Sequence, residues 1–334
     1  MYNTPLTYWG GRVLLGSVAA FALGLHATPA SATPAPVAVV NNTLRINATN
    51  ADDRVALRLT AGAPGTLEID FGDDGTADHS FDRNAFDEIR VSLRSGDDQF
   101  RVDQANGAFA DEALSVDGGN GNDTLNGGDG NEILDGGRGD DAIDGNRGAD
   151  VGVLGQGTDS FRWDPGDGSD IVEGNSGQDT LDFNGAAGPE NMALTPVGKR
   201  SLFFRDAGTI RMDMDGVERL DLTALGGIDT VTVADMSGTD FESANVDLAG
   251  PNGQPDGAND VITVEGTAKA DNVTVTTDNG AISVAGARTP TRISGADPTD
   301  TLRVHTLAGD DNVDVAQAVL ALIGVTVDLG IDES

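Results

Sequence analysis

The sequence repeats a nine-residue motif seven times between residues 118 and 182. Glycine fills the first, second and fourth positions of most copies, an acid fills the sixth position of every copy, and an apolar residue usually fills the eighth. Self-similarity at a short fixed period is typical of solenoids, in which each repeat packs only against its neighbours. The motif therefore predicts an all-β fold, a parallel β-roll or β-solenoid. The copies are GGNGNDTLN, GGDGNEILD, GGRGDDAID, GNRGADVGV, LGQGTDSFR and, after an inserted Trp163-Asp164, PGDGSDIVE and GNSGQDTLD.

The same motif supplies the ligands of a calcium site. Glycine permits positive φ and close approach of successive turns, so that backbone carbonyl oxygens can converge on an ion. The acid at position six adds negative charge, and calcium takes roughly six to eight oxygen ligands from such groups. The apolar residue at position eight lies two residues beyond the acid and should point inward from a short strand. These expected core residues are Leu125, Leu134, Ile143, Phe161, Val172 and Leu181.

Two nonapeptides per coil predict two rows of stacked acids. The first row holds Asp123, Asp141, Asp159 and Asp179, and the second holds Glu132, Asp150 and Asp170. If each adjacent pair in a row holds one ion, the rows accommodate three and two calcium ions, about five in all. The expected metal-binding residues are Gly119, Gly121, Asp123, Gly128, Gly130, Glu132, Gly137, Gly139, Asp141, Gly148, Asp150, Gly155, Gly157, Asp159, Gly166, Gly168, Asp170, Gly177 and Asp179.

Three departures from the pattern bear on the metal sites, the core and the strands. Glu132 replaces aspartate and is the poorest match among the acids. Gly152 stands at an apolar position and predicts a gap in the core. The two-residue insertion before Pro165 predicts a bulge.

These motifs resemble the repeat-in-toxin (RTX), or hemolysin-type, calcium-binding family. The resemblance implies a parallel β-roll that folds when it binds calcium, with these properties carried onto Gly118, Gly119, Gly121, Asp123 and their equivalents at each nine-residue step. It covers residues 118–182 of a chain of 334. The family includes toxins, proteases, lipases, adhesins and proteins with no enzymatic part, so the resemblance does not specify what else the chain does.

Residues 1–32 predict a secretory signal peptide. Arg12 precedes an apolar stretch at 13–25, and Ala30-Ser31-Ala32 offers a small-residue cleavage site. A membrane anchor is the competing interpretation, but the stretch is shorter than the roughly 20 residues that span a bilayer. We expect bacterial export to the extracellular space, with the periplasm or cell surface as alternatives, and no membrane insertion after cleavage. The chain has no cysteine, so calcium would take the stabilising role that disulfides often play in exported proteins.

The charge of the chain restricts its partners. The formal net charge is −35 at pH 7, from 55 acidic and 20 basic residues. Such a surface repels nucleic acids and anionic membranes, so we expect neither as a partner. Between residues 118 and 182, fifteen acids face only three arginines, which predicts a disordered segment when cations are absent.

A looser 16-residue unit recurs outside the array. Aliphatic residues at positions three and five, an aspartate at twelve and apolar residues at fourteen and sixteen predict a strand, a turn and a second strand. The turn aspartate can bind metal or make a plain Asx-type turn, and the sequence leaves both open. The units are residues 42–57, 87–102, 218–233, 260–275 and 300–315, and residues 112–127 fit too, apart from Gly127 at position sixteen.

These patterns predict four segments. Residues 1–32 are the leader, 33–117 a degenerate β-repeat segment, 118–185 the calcium-binding roll, and 186–334 a C-terminal β-repeat segment for which continuation of the same solenoid is open.

The leading functional hypothesis is a secreted, non-enzymatic calcium-binding repeat protein. A surface adhesin or matrix component is the alternative, with a protein or cell-surface partner that the sequence does not identify. A polysaccharide lyase or epimerase is the third, since a β-helix can carry such a site. It would need basic residues grouped with acids in a groove, and the mature chain concentrates them only at Lys199, Arg200, Arg205 and Arg211. We find no catalytic residues.

Overall fold

The computed structural model describes residues 37–330, and this part of the chain is β throughout. It forms two sheets of fourteen strands each, with short 3₁₀ turns at Arg83–Ala85, Ala207–Thr209 and Val319–Ala321. The expected signal peptide lies outside the described residues. Between residues 37 and 330, no helix is long and apolar enough to cross a membrane. The all-β solenoid predicted from the repeat is confirmed.

The first sheet runs along the whole described length. In spatial order its strands are β1 (Ala38–Val40), β2 (Thr43–Asn47), β6 (Glu88–Ser92), β8 (Ala113–Asn120), β10 (Ile133–Arg138), β12 (Val151–Gly157), β14 (Ile171–Gly177), β18 (Ile210–Asp215), β17 (Arg200–Arg205), β16 (Asn191–Val197), β20 (Thr230–Val233), β22 (Val261–Glu265), β26 (Thr301–His305) and β28 (Gly324–Asp328).

The second sheet contains the strands that alternate with those of the first. In spatial order they are β27 (Asn312–Val315), β23 (Asn272–Asp278), β24 (Ala281–Ala285), β25 (Thr291–Ser294), β21 (Ser243–Asp247), β19 (Arg219–Thr223), β15 (Thr180–Asn184), β13 (Ser160–Trp163), β11 (Ala142–Asp144), β9 (Thr124–Asn126), β7 (Gln99–Asp103), β3 (Arg54–Thr60), β4 (Ala63–Phe71) and β5 (His79–Asp82).

Successive coils of the solenoid pair in parallel and in register. Within the array, Ile143 lies between Leu125 and Phe161 in the second sheet, one coil to either side. The 16-residue units follow the same plan, since each places one strand in each sheet; residues 87–102, for example, contain β6 and most of β7. The segments on both sides of the array are therefore coils of the same two-sheet solenoid.

Antiparallel strands interrupt this parallel order. β1 pairs with β2, β4 joins β3 to β5, β17 joins β16 to β18, and β24 joins β23 to β25, all in antiparallel fashion. Each of the last three groups adds strands to one sheet without adding a coil. The turns between the sheets nevertheless stay aligned along the two edges of the solenoid.

The core lies between the sheets and contains every apolar residue expected at position eight of the repeats, each at most 1% exposed. The gap expected at Gly152 is not there. A Cβ atom on Gly152 would lie 2.6 Å from the ring of Phe161, so that the large side chain of the fifth repeat fills the space left by the glycine of the fourth.

The insertion after the fifth repeat produces no bulge in the strands. β13 and β15 pair in register from Ser160–Thr180 to Trp163–Phe183, because Trp163 extends its strand and the extra length lies in the following turn. The Trp163 side chain is fully buried and stacks on Phe183 with ring centroids 4.2 Å apart. Its indole Nε1 donates a hydrogen bond to the carbonyl oxygen of Gly168 at 2.8 Å, which closes that turn.

Candidate calcium-binding turns

The acids at position six stack in the two expected rows, one along each edge of the solenoid. In the first row, the backbone N–H of Asp123 donates to Oδ1 of Asp141 at 2.8 Å, Asp141 donates to Asp159 at 2.7 Å, and Asp159 donates to Asp179 at 3.1 Å. In the second row, Glu132 donates to Asp150 at 2.7 Å and Asp150 to Asp170 at 2.9 Å. One carboxylate oxygen of each acceptor is thereby engaged.

The second carboxylate oxygen is buried and free in five of these turns. In each case Oδ2 has no hydrogen-bond partner among residues 37–330, and the five residues are Asp123, Asp141, Asp150, Asp159 and Asp179. Buried polar atoms are almost always satisfied, because an unpaired buried acceptor loses its water without compensation. A bound cation would satisfy such oxygens. Each of these acids offers one free carboxylate oxygen to its turn.

Where position one is glycine, in five of the seven repeats, it keeps the turn open. A Cβ atom on Gly118 would lie 2.5 Å from Oδ2 of Asp123 and 2.6 Å from the carbonyl oxygen of Gly136 in the next coil. At Gly136, the corresponding distances to Asp141 Oδ2 and the Leu154 carbonyl are 2.5 and 2.7 Å. Carboxylate and carbonyl oxygens thus converge where these side chains are missing, which is the ligand set that calcium prefers. The family resemblance includes these position-one glycines through Gly118 and its equivalents, in addition to the glycines expected at positions two and four.

Most of the expected glycines at positions two and four hold the backbone in the left-handed region. Gly119, Gly121, Gly137 and Gly139, for example, have φ between 99° and 126°. Gly155, Gly157, Gly148, Gly166 and Gly177 also have positive φ. Asparagine takes position two in the fourth and seventh repeats and adopts the same conformation, with φ of 59° at Asn146 and 67° at Asn175. Asparagine tolerates this region better than other residues with a side chain, so the turn keeps its shape.

The turn that ends at Glu132 is built differently. Neither Gly128 nor Gly130 has a positive φ, and the Gly128 N–H donates to Oε2 of Glu132 at 2.9 Å. The longer carboxylate is therefore folded back onto its own turn. Of the expected site residues, these three form the arrangement least suited to an ion.

Burial raises the pKa of the acids in both rows. Desolvation is the largest cause, and neighbouring acids add to it: the pKa rises to about 7 at Asp123, about 6 at Asp141, about 8 at Asp150, and about 7 at Asp170 and Asp179. The hydrogen bond from the backbone of the preceding acid partly offsets each rise. These carboxylates need a proton or a metal ion to compensate their charge.

The donor set suits calcium better than zinc. Within residues 37–330, no group of three or more histidine, cysteine, aspartate or glutamate side chains converges as a metal cluster. Each turn offers a single carboxylate with backbone carbonyl oxygens around it. Hard oxygen ligands of this kind bind calcium, whereas zinc prefers nitrogen and sulfur ligands in a tetrahedral arrangement.

The three arginines of the basic group at residues 199–211 are engaged with acids or aromatic rings. Arg200 donates to Asp213 at 2.5 Å and forms a salt bridge to Glu173 at 3.0 Å. Arg205 is buried against Glu190, and the guanidinium of Arg211 lies over the ring of Phe204. These arginines do not form the open basic groove that the lyase hypothesis requires.

Comparison with known proteins assigns the array to a family. The family model for the RTX calcium-binding nonapeptide repeat (4 copies) matches residues 117–152, 126–161 and 166–185. A search of curated proteins found no match, and a search of solved structures found none either. The nonapeptides of this chain are RTX calcium-binding repeats, and the match covers the segment in which the structure places the free carboxylate oxygens.

Proposed function

We propose that this chain is a secreted, non-enzymatic calcium-binding repeat protein whose array folds as it binds calcium. The observation that carries the proposal is the set of five buried Oδ2 atoms that have no partner among the described residues and that lie in RTX calcium-binding repeats. Residues 118–185 are the calcium-binding part of the solenoid, with one ion at each of the five turns.

The charge of the array supports folding on calcium binding. Its fifteen acids and three arginines leave a formal charge of −12 between residues 118 and 182. Stacking the coils brings these acids together and buries several of them, so the free energy of folding is unfavourable until cations compensate the charge. Because the turns exist only in the folded solenoid, the free energy of calcium binding contributes directly to folding.

The proposed location follows from the sequence of the leader and from the chemistry of calcium. RTX repeat proteins are typically secreted, and the pattern of residues 1–32 is that of an exported protein. Extracellular calcium-binding modules often have dissociation constants of about 10⁻⁴ to 10⁻³ M. Such a chain would remain unfolded where calcium is scarce and would fold after export.

Isothermal titration calorimetry on the chelator-treated full chain tests this proposal. We expect about five ions bound by the array, on the reasoning that one free carboxylate oxygen marks one site. Asp141→Asn keeps an oxygen for the bond from the Asp123 backbone but removes the charge of Oδ2, so it should abolish one site. A chain that binds no calcium in the millimolar range, or an Asp141→Asn chain that binds as many ions as the wild type, would overturn the proposal.

A further inference from the structure

Two types of turn recur along the solenoid within residues 37–330. In a closed turn, the residue at position two, four residues before the acid, donates its backbone N–H to the acid's second oxygen. Thr267 donates in this way to Asp271 at 2.6 Å, and Thr49 donates to Asp53 at 2.7 Å. The carboxylate is then satisfied by its own turn. In an open turn, the second oxygen has no such bond.

The conformation of position two separates the two types. In the array turns with a free oxygen, position two has a left-handed φ and is glycine or asparagine. In the closed turns, position two does not have a positive φ, and its N–H reaches the acid, as at Thr49, Gly128, Ala186 and Thr267. The left-handed conformation therefore accompanies a free carboxylate oxygen.

Three turns outside the RTX repeats have the same open geometry, and in two of them the acid is fully buried. The third, residues 306–311, has Leu307 at 65° and Gly309 at 137° but ends at the partly buried Asp311. In residues 93–98, position two is Arg94 with φ of 80° and position four is Gly96 with φ of 130°. In residues 224–229, the corresponding residues are Leu225 at 65° and Gly227 at 127°. Arginine and leucine rarely adopt positive φ because their Cβ atom crowds the backbone. Such strain persists where the surrounding structure requires it, and it is often found at binding sites.

The acids of these two turns are fully buried and half satisfied. Asp98 and Asp229 are each 0% exposed. Oδ1 of Asp98 accepts the Asp53 N–H at 2.7 Å, and Oδ1 of Asp229 accepts the Glu190 N–H at 2.9 Å, as in the array. Oδ2 has no hydrogen-bond partner among the described residues in either case.

The surroundings of both acids are negative. The charged groups that act on Asp98 are Asp52, Asp53 and Asp97. Those that act on Asp229 are Glu190, Asp256 and Asp260. The neighbouring Glu190 turn is different. Oε2 of Glu190 accepts the backbone N–H of Ala186, and the carboxylate forms a salt bridge with the buried Arg205. A fixed arginine thus compensates Glu190, whereas no basic residue within the described chain is placed to do so for Asp98 or Asp229.

We propose that the turns at residues 93–98 and 224–229 each bind a calcium ion, outside the RTX repeats. The first stacks directly on the array, since Asn120 donates its backbone N–H to Arg94 at 2.8 Å and Gly96 donates to Asn120 at 2.9 Å. It extends the first row of ions by one coil. The second turn marks calcium binding in the C-terminal part of the solenoid. The inference rests on the proposed function only in the identity of the ion.

Crystals of the full chain grown in calcium and soaked in terbium test the two sites without any variant. Anomalous scattering should give peaks beside Oδ2 of Asp98 and Asp229 as well as in the array, and none beside Asp271. Peaks in the array alone would overturn this inference and leave the proposed function standing. An array without peaks would overturn the proposed function first.

Native mass spectrometry of full-length variants provides the second test. Asp98→Asn and Asp229→Asn should each bind one ion fewer than the wild type, and the double variant two fewer. The matched control is Asp271→Asn, which changes an acid of a closed turn and should leave the number of ions unchanged. Leu225→Gly should keep its ion, because glycine adopts the left-handed conformation without strain. Equal ion numbers in all four chains that carry Asn would refute the two sites.

Discussion

Gly136→Ala should close one calcium turn of the array without straining the backbone. Gly136 lies in β10 and has no positive φ, so alanine is compatible with its conformation. The added Cβ atom, however, would lie 2.5 Å from Oδ2 of Asp141, 2.7 Å from the Leu154 carbonyl oxygen and 2.8 Å from the Asp141 Cβ. The methyl group would occupy the place where the two oxygens converge, so one or both must move away.

The size of the effect follows from the cost of overpacking. Inserting a methyl group into a tightly packed site typically costs about 1–3 kcal/mol. The added methyl group raises the free energy of the folded, calcium-binding coil and leaves that of the unfolded chain unchanged. About 1.4 kcal/mol corresponds to a factor of ten for one ion, and about five ions bind as the array folds, so the calcium concentration at the folding midpoint should rise roughly 1.4- to threefold.

The matched control is Gly65→Ala in β4. Gly65 also lacks a positive φ, and no atom lies within 4 Å of a Cβ placed there. A calcium titration followed by circular dichroism should show the midpoint shift for Gly136→Ala and none for Gly65→Ala. If the two variants have the same midpoint, the convergence of oxygens at Gly136 does not form a calcium site.

Three further predictions concern pH, an array acid and the buried indole. In chelator, the β-sheet content of the array should fall as pH rises from about 4 to about 8, because acids such as Asp123 and Asp150, with pKa values of about 7 and about 8, bind more protons in the folded than in the unfolded chain; a far-UV circular dichroism signal for β-sheet that grows with pH in chelator would contradict this. Calcium affinity should rise over the same pH range, since protons compete for the same oxygens, and calorimetry at both ends of the range would measure it. The Asp179→Asn and Asp141→Asn chains should each bind one ion fewer than the wild type in native mass spectrometry, because each acid has one free oxygen. If Asp141→Asn binds two ions fewer and Asp179→Asn only one, two ions share the carboxylate of Asp141. The emission of Trp163 should shift to the red in chelator, since its fully buried indole would become exposed when the array unfolds; an unchanged emission maximum would mean that the coil around Trp163 stays folded without calcium.

The nonapeptide period was sufficient to predict the architecture and the two rows of acids. Position eight is apolar in six of the seven copies, so these core residues could be identified from the sequence alone. The role of Phe161 in filling the space beside Gly152 could not be predicted, because Phe161 lies in the facing sheet. The insertion that contains Trp163 was expected to form a bulge. Trp163 instead extends β13, because its large apolar side chain is buried in the core.

The open and closed turns could not be distinguished from the sequence. Their difference depends on the φ of one residue, and neither Arg94 nor Leu225 favours the left-handed region by itself. In the folded chain, the carbonyl oxygen of Arg94 accepts the backbone N–H of Asn120 in the adjacent coil at 2.8 Å. The salt bridge between Glu190 and Arg205 could not be predicted from the sequence either, because the two residues meet only when β17 folds back beside β16.

Calcium-dependent folding is tested most directly by a calcium titration of the chelator-treated full chain. The far-UV circular dichroism and the emission of Trp163 are recorded together, with magnesium in a parallel titration. Calcium should increase the β-sheet signal and shift the emission to the blue with a common midpoint, at about 10⁻⁴ to 10⁻³ M. Magnesium should have little effect, because it requires tighter octahedral coordination and gives up its water reluctantly. Identical spectra in chelator and in millimolar calcium, or an equal response to magnesium, would contradict calcium-dependent folding of the array.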